Sequence, residues 1–247
     1  MHQQHLRAAR RTSALFDAAS RLETPGRAET LTLTLANAGG VHGKPDFSRF
    51  PLLRRLLLAS WELDNATHFH LLHAVFTVAP GPRRASALAC LAAVAEVDMR
   101  TSWHFGAAAL ASVLKQLLGV TKLWLPYAAI APSGPNDALV SLSVVAALLP
   151  GLEALHANFR GICEDEPCGR VIAGLPRLRL LSLLGVPDGG GALSVLPCSR
   201  LTSLSFDLDY AAWPSGAHDL GLPWPRLREL RGIELFPEWV VLLAAGL

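Results

Sequence analysis

Apolar residues along this chain fall at positions 1, 4 and 6 of a short phrase that recurs from one end to the other. The sharpest copy is Leu175-Pro176-Arg177-Leu178-Arg179-Leu180-Leu181-Ser182-Leu183, LPxLxxLxL, anchored by Leu178, Leu181 and Leu183. Further copies are anchored by Leu53/Leu56/Leu58, Val94/Val97/Met99, Val120/Leu123/Leu125, Leu152/Leu155/Ala157 and Leu201/Leu204/Phe206. Weaker ones stand at the ends, Ala28/Leu31/Leu33 and Leu227/Leu230/Gly232. The first anchors are residues 28, 53, 94, 120, 152, 178, 201 and 227, so the steps are 25, 41, 26, 32, 26, 23 and 26. A recurring step in the twenties marks a stacked repeat array, which offers an extended surface more readily than a catalytic pocket. The step of 41 has room for one more unit, and Leu72/Val75/Thr77 would split it into 19 and 22.

Between the anchors the period changes. Thr30 to Leu35 alternates strictly, as a half-buried strand does, whereas Leu6 to Leu22 carries Ala8, Leu15, Phe16, Ala19 and Leu22 at helical spacing. Helical returns are expected over 84–93, over 107–118 with Gly119 as a C-cap, over 139–149 before Pro150-Gly151, and over the shorter 171–175. Strands alternating with helices across tight boundaries predict one parallel sheet with the helices on its opposite face. The expected organisation is an N-terminal helical cap over 1–27 followed by the repeat array over 28–247.

In register, this pattern resembles the leucine-rich-repeat family over roughly residues 28 to 235. The resemblance implies an α/β solenoid, curved, with a parallel sheet on the concave side and helices or irregular returns on the convex side. The uneven steps are similar to the ribonuclease-inhibitor-like and F-box-associated branches. One departure concerns position 9, where the family places Asn or Cys. This chain has Trp61, Ser102, Ala128, Arg160, Val186, Asp209 and Leu235 there. No F-box-like segment is recognisable before residue 28.

Successive strand side chains point to opposite faces. If anchors 1, 4 and 6 face the core, positions 3, 5 and 7 face outward, and the middle row reads Asp98, Trp124, His156, Ser182, Ser205. Trp124 between charged neighbours is the kind of residue that anchors a protein interface. Glu96, Lys122 and Arg100 flank it, while Leu57, Leu180 and Leu184 add apolar area to the same face. The expected binding set is therefore Trp124, Asp98, Glu96, Lys122, His156, Ser182, Ser205 and Arg100. What the resemblance implies is a non-catalytic scaffold holding a protein partner, with substrate recognition for an F-box-type ubiquitin ligase as the narrower expectation.

Composition trims the alternatives. Apolar residues make up 51% of 247, charged residues 17%, and the formal net charge is +2. That describes a folded chain without a field that would draw nucleic acid or an anionic membrane. The longest apolar stretch, 138–150, contains Ser141 and Ser143 and is too short to span a bilayer. Cys90, Cys163, Cys168 and Cys198 have no framework spacing, and Met1 to Arg11 has no apolar signal core. Reduced thiols in a cytoplasmic or nuclear protein are expected. Arg7, Arg10 and Arg11 precede the first acid, Asp17, as in a transit peptide, but equally as in a basic helix start. The apolar end from Trp239 to Leu247 lacks a polar cap, which points to a truncated array or to a partner there.

Sequence support for other chemistry is thin. His68, His70 and His73 supply HxH on a possible strand, and Cys163 and Cys168 bracket an acidic loop. Neither has the spacing of a zinc site. Asn65-Ala66-Thr67 is a sequon without a secretory context. Gly189-Gly190-Gly191 lacks the Lys-Ser/Thr of a phosphate loop, and no GxGxxG or GxSxG occurs. No catalytic residue and no cofactor is assigned, and a small metal- or thiol-dependent enzyme is the competing class.

Overall fold

A computed structural model describes residues 25–35, 45–60, 73, 75–78, 80–100, 107–125, 142–158, 168–184, 199–207 and 226–231. The expected helix over 6–22, the seven position-9 residues, His68, His70, Cys163 and the apolar end lie outside them. The described residues form an α/β fold on an open, all-parallel sheet. Its strands are β1 (Thr30–Leu35), β2 (Arg55–Ser60), β3 (Glu96–Asp98), β4 (Lys122–Trp124), β5 (Ala154–Asn158), β6 (Leu180–Leu184), β7 (Ser203–Asp207) and β8 (Glu229–Arg231). Their order in the sheet is their order in the chain.

One register runs through all eight. Thr30, Arg55, Glu96, Lys122, Ala154, Leu180, Ser203 and Glu229 are successive partners, each at position 3 of its copy. Just before each strand, two consecutive N–H groups converge on one carbonyl of the preceding copy. Ala95 and Glu96 donate to the Arg54 carbonyl at 2.8 and 3.0 Å, and Glu153 and Ala154 to the Thr121 carbonyl at 2.7 and 3.0 Å. The same fork recurs at every junction from Glu29 to Arg228. Even spacing of this kind belongs to parallel pairing, and it holds the sheet in register whatever side chains its outer face carries.

Entry to the strands is equally regular. The N–H of the first anchor donates to the carbonyl three residues earlier in Leu53, Val94, Val120, Leu152 and Leu178, at 3.1 to 3.4 Å. The carbonyls belong to Phe50, Leu91, Leu117, Leu149 and Leu175, all buried. Each of these copies thus has a fourth apolar anchor, which tucks the turn under the sheet.

The returns are α1 (Arg84–Ala92), α2 (Ala107–Leu114), α3 (Leu142–Leu148) and α4 (Cys168–Ala173). Buried residues three to four apart line one face of the first three: Ala87, Cys90 and Leu91 in α1, Leu110, Val113 and Leu114 in α2, Leu142 and Val145 in α3. These helix residues, Cys90 apart, share one continuous core with Leu56, Val97, Leu123, Leu155 and Leu181 of the strands, so the helices cover the anchor face. Each fully buried Leu or Val stabilises by about 1.5–3 kcal/mol. Summed over the array, this outweighs any surface ion pair, at about 0–1 kcal/mol.

Three expectations are corrected. Among the described residues no strand intervenes between β2 and β3, which pair directly. Val75 and Phe76 are helical instead, and Phe76 buries its ring against Phe47 with centroids 5.7 Å apart. The longer step therefore accommodates an insertion with its own aromatic contact. α2 ends at Leu114, so Gly119 caps no helix and lies in the turn before β4. α4 begins at Cys168, three residues before the expected start. No helix among the described residues is long and apolar enough to cross a membrane.

Candidate functional site

The outward face centres on Asp98. The strand turns away directly after it, and its side chain shapes that exit, because Asp98 Oδ1 accepts from the Arg100 backbone N–H at 3.1 Å. Aspartate accepting from the backbone two residues on is a standard way of closing a turn. The Arg100 side chain returns to the same carboxylate through Nε to Oδ1 at 3.0 Å and Nη2 to Oδ2 at 2.7 Å. Arg55 of β2 contributes from the neighbouring strand. Its Nη2 donates to Asp98 Oδ2 at 3.3 Å, and its Nε lies 2.6 Å from Oε1 of Glu96, its register partner.

Trp124 extends the cluster into β4. It is the register partner of Asp98, and the Arg100 guanidinium lies 5.8 Å from its ring centroid. Such a stack contributes about 0.5–1 kcal/mol where solvent reaches it. The result is a braced arrangement in which Asp98 orients Arg100 and Arg100 covers Trp124. His156, next in register, is half-buried.

All eight residues expected to bind a partner belong to this face or its exit turn, but they present themselves differently. Lys122 is exposed, beside Glu96, whose carboxylate Arg55 holds. Trp124, Glu96, Arg100, His156 and Ser205 are half-buried. Asp98 and Ser182 are buried and offer a partner almost no surface; Asp98 instead supports the face through its bonds to Arg100 and Arg55. The two guanidiniums folded over Asp98 account for its burial. Arg55 was missing from the expected set, and its position beside Glu96 in the strand register is the signal that identifies it. Of the apolar residues, Leu180 is exposed and Leu57 half-buried, while the Leu184 side chain lies outside the description.

Electrostatics agree with a braced anion. Burial opposes ionisation of Asp98, yet the Arg100 hydrogen bonds and charge, with Arg55, hold its carboxyl below the usual 3.8. Burial, reinforced by Arg100, pushes the His156 imidazole below 6.5, and the Asp98 charge only partly offsets this. Both shifts make acid destabilising. The unfolded chain takes up a proton at His156 as pH falls below 6.5 while the folded chain resists it, so stability declines there first. The Asp98 contribution is complete above the unfolded value and is lost as pH falls through the lower folded one. Asp98→Asn removes the carboxylate and leaves two cations facing each other. With Arg55 and Arg100 side chains 39% and 35% exposed, water screens part of that cost, and a loss of about 1–2 kcal/mol is expected at pH 7. Urea unfolding at pH 7 and pH 3 measures it. The variant should differ from wild type at the first pH and approach it at the second, and equal stability at pH 7 would show that the brace holds nothing.

Among the described residues, no three His, Cys, Asp or Glu side chains form a group that could hold a metal ion. Burial pushes the Cys90 thiol up, away from the thiolate a nucleophile requires. No family model matches the chain, and no curated protein matches its sequence.

Proposed function

We propose that this chain is a leucine-rich-repeat scaffold that binds a protein segment on the outward, concave face of its sheet, with Trp124 and Arg100 as the principal contacts. The observation that carries this reading is the brace itself. Tryptophan and arginine are the residue types that most often dominate interface energetics. Here Asp98, itself paired with Arg55, orients Arg100 over Trp124, which lowers the ordering cost of binding. Glu96 and Lys122 border the pair with opposite charges, suited to choosing among partners more than to adding affinity.

Trp124→Ala tests it. The residue is half-buried on a face away from the core, so circular dichroism and the melting temperature should change little. Quantitative affinity capture from cell extract should lose its strongest partners by at least about tenfold, the scale of one interface hot spot. Equal recovery by wild type and variant would move the binding surface elsewhere. The narrower reading, recognition of substrates for an F-box-type ubiquitin ligase, rests on the repeat resemblance and adds a ligase adaptor to the captured set. Its absence there sinks that part alone.

A further inference from the structure

The edge of the sheet where β6, β7 and β8 begin carries a different chemistry. Arg177, Arg200 and Arg226 stand one residue before the first anchor in three successive copies, and Arg179, Thr202 and Arg228 one residue after it. Because one register joins these strands, the repeated R-L-R, R-L-T, R-L-R stacks cation beside cation. Arg179, Arg200, Thr202, Arg226, Leu227 and Arg228 line a pocket of about 380 Å³. Arg200 is held in place, its Nη2 donating to the Ala173 carbonyl at 2.6 Å and its Nη1 to Pro176 at 3.5 Å. The backbone beneath is tied by Thr202 N to Arg179 O at 2.8 Å and Arg228 N to Thr202 O at 2.9 Å.

Four guanidiniums around one pocket repel each other. Among the described residues, the ion pairs lie elsewhere, at Asp46, Glu96 and Asp98, and none involves these arginines. The whole chain carries a net charge of only +2, so this concentration is local. We propose that the pocket binds a phosphate monoester, carried as a phosphorylated side chain by the protein segment that the sheet holds, an assignment that rests on the protein-binding reading above. A phosphate group brings nearly two charges and three acceptor oxygens, matching several planar donor forks where a carboxylate would leave some unsatisfied. A nucleic-acid backbone fits less well. It needs a cationic track over successive phosphates, but Glu153 precedes Arg179 in the same row and Glu229 follows Arg228 directly.

The test uses the full chain and three labelled probes read by fluorescence anisotropy: a degenerate phosphothreonine peptide pool, its unphosphorylated counterpart and a short single-stranded oligonucleotide. Inorganic phosphate serves as competitor, and separately as the sole ligand in thermal shift against chloride at equal ionic strength. The phosphorylated pool should bind at least about tenfold more tightly than the unphosphorylated one, and inorganic phosphate should displace it. Joint Arg179→Ala and Arg228→Ala should remove that preference without lowering the melt in the absence of phosphate, since both side chains are exposed and their removal relieves repulsion. Equal binding of the two pools, tighter binding of the oligonucleotide, or a preference that survives the double variant would overturn the proposal. The inorganic phosphate arm reads the pocket without any partner. Failure of the Trp124 test therefore leaves that arm intact, whereas a phosphate shift without peptide discrimination would refute the phosphopeptide assignment itself.

Discussion

Leu155→Ala should lower unfolding stability by about 2–5 kcal/mol, while Leu180→Ala, one strand over, should lower it by less than about 1 kcal/mol. The two leucines belong to neighbouring strands and differ by one place in the repeat. Leu155 is at position 4 and 0% exposed, and Leu180 is at position 3 and 37% exposed. Along a strand one residue is the difference between the two faces. Truncating Leu155 opens a cavity in the core that it shares with Val145, Leu149, Leu152 and its register partner Leu181, where a rigid sheet on one side and helices on the other limit collapse. Truncating Leu180 removes atoms that water already reaches. Denaturant unfolding of both variants measures the difference. Similar losses would mean that the sheet's inner and outer faces are wrongly assigned, and with them the whole candidate binding face.

That contrast also explains what the sequence could and could not reveal. The anchors Leu56, Val97, Leu123, Leu155 and Leu181 were legible because burial repeats with the backbone period, and the period survives divergence at every other position. Strand partners followed at once, since equal positions in successive copies must pair when the units stack in order. Val75 and Phe76 broke the inference. Their apolar character is genuine, but both are buried in a helical segment, Phe76 against Phe47, and a short apolar pair carries no mark of strand or helix. The site divides in the same way. Register placed Trp124 beside Asp98 and His156, because that is a statement about the backbone. It could not foresee that Arg55 and Arg100 would fold over Asp98 and bury it, because long side chains choose among many rotamers and the choice depends on all their neighbours at once. The arginines at the β6–β8 edge show the converse. R-L-R, R-L-T and R-L-R are plain in the sequence, yet they acquire meaning only when the positions beside the anchors, and not the anchors alone, are stacked.

Gly119→Ala should lower stability by about 3 kcal/mol or more, whereas Gly151→Ala should be neutral or slightly stabilising. Both glycines occupy the place immediately before the first anchor, Val120 in one copy and Leu152 in the next. Neither has the left-handed backbone that only glycine adopts readily. Their difference is one of space. A Cβ at Gly119 would fall inside the van der Waals envelope of the Ala92 carbonyl oxygen and lie 3.2 Å from the Val94 carbonyl oxygen, while one at Gly151 would meet nothing within 4 Å. Ala92 ends α1 and Val94 opens the approach to β3, so both obstacles are backbone and cannot rotate away as a side chain would. Relief would require the turn before β4 to retreat from the preceding copy. That retreat would stretch the hydrogen bonds from Thr121 and Lys122 to the Ala95 carbonyl, now 2.9 and 3.0 Å, which fix β4 against β3. Since Asp98 and Trp124 meet across that same strand pair, the variant should also weaken the Arg100–Trp124 stack. Tryptophan fluorescence would be a poor readout, because the chain has six tryptophans. Amide exchange at Lys122 and Leu123 reports the junction directly. Faster exchange there in Gly119→Ala, with wild-type rates in Gly151→Ala, is the expected result, and equal protection in both would show that the close approach of the two copies at Gly119 does not exist.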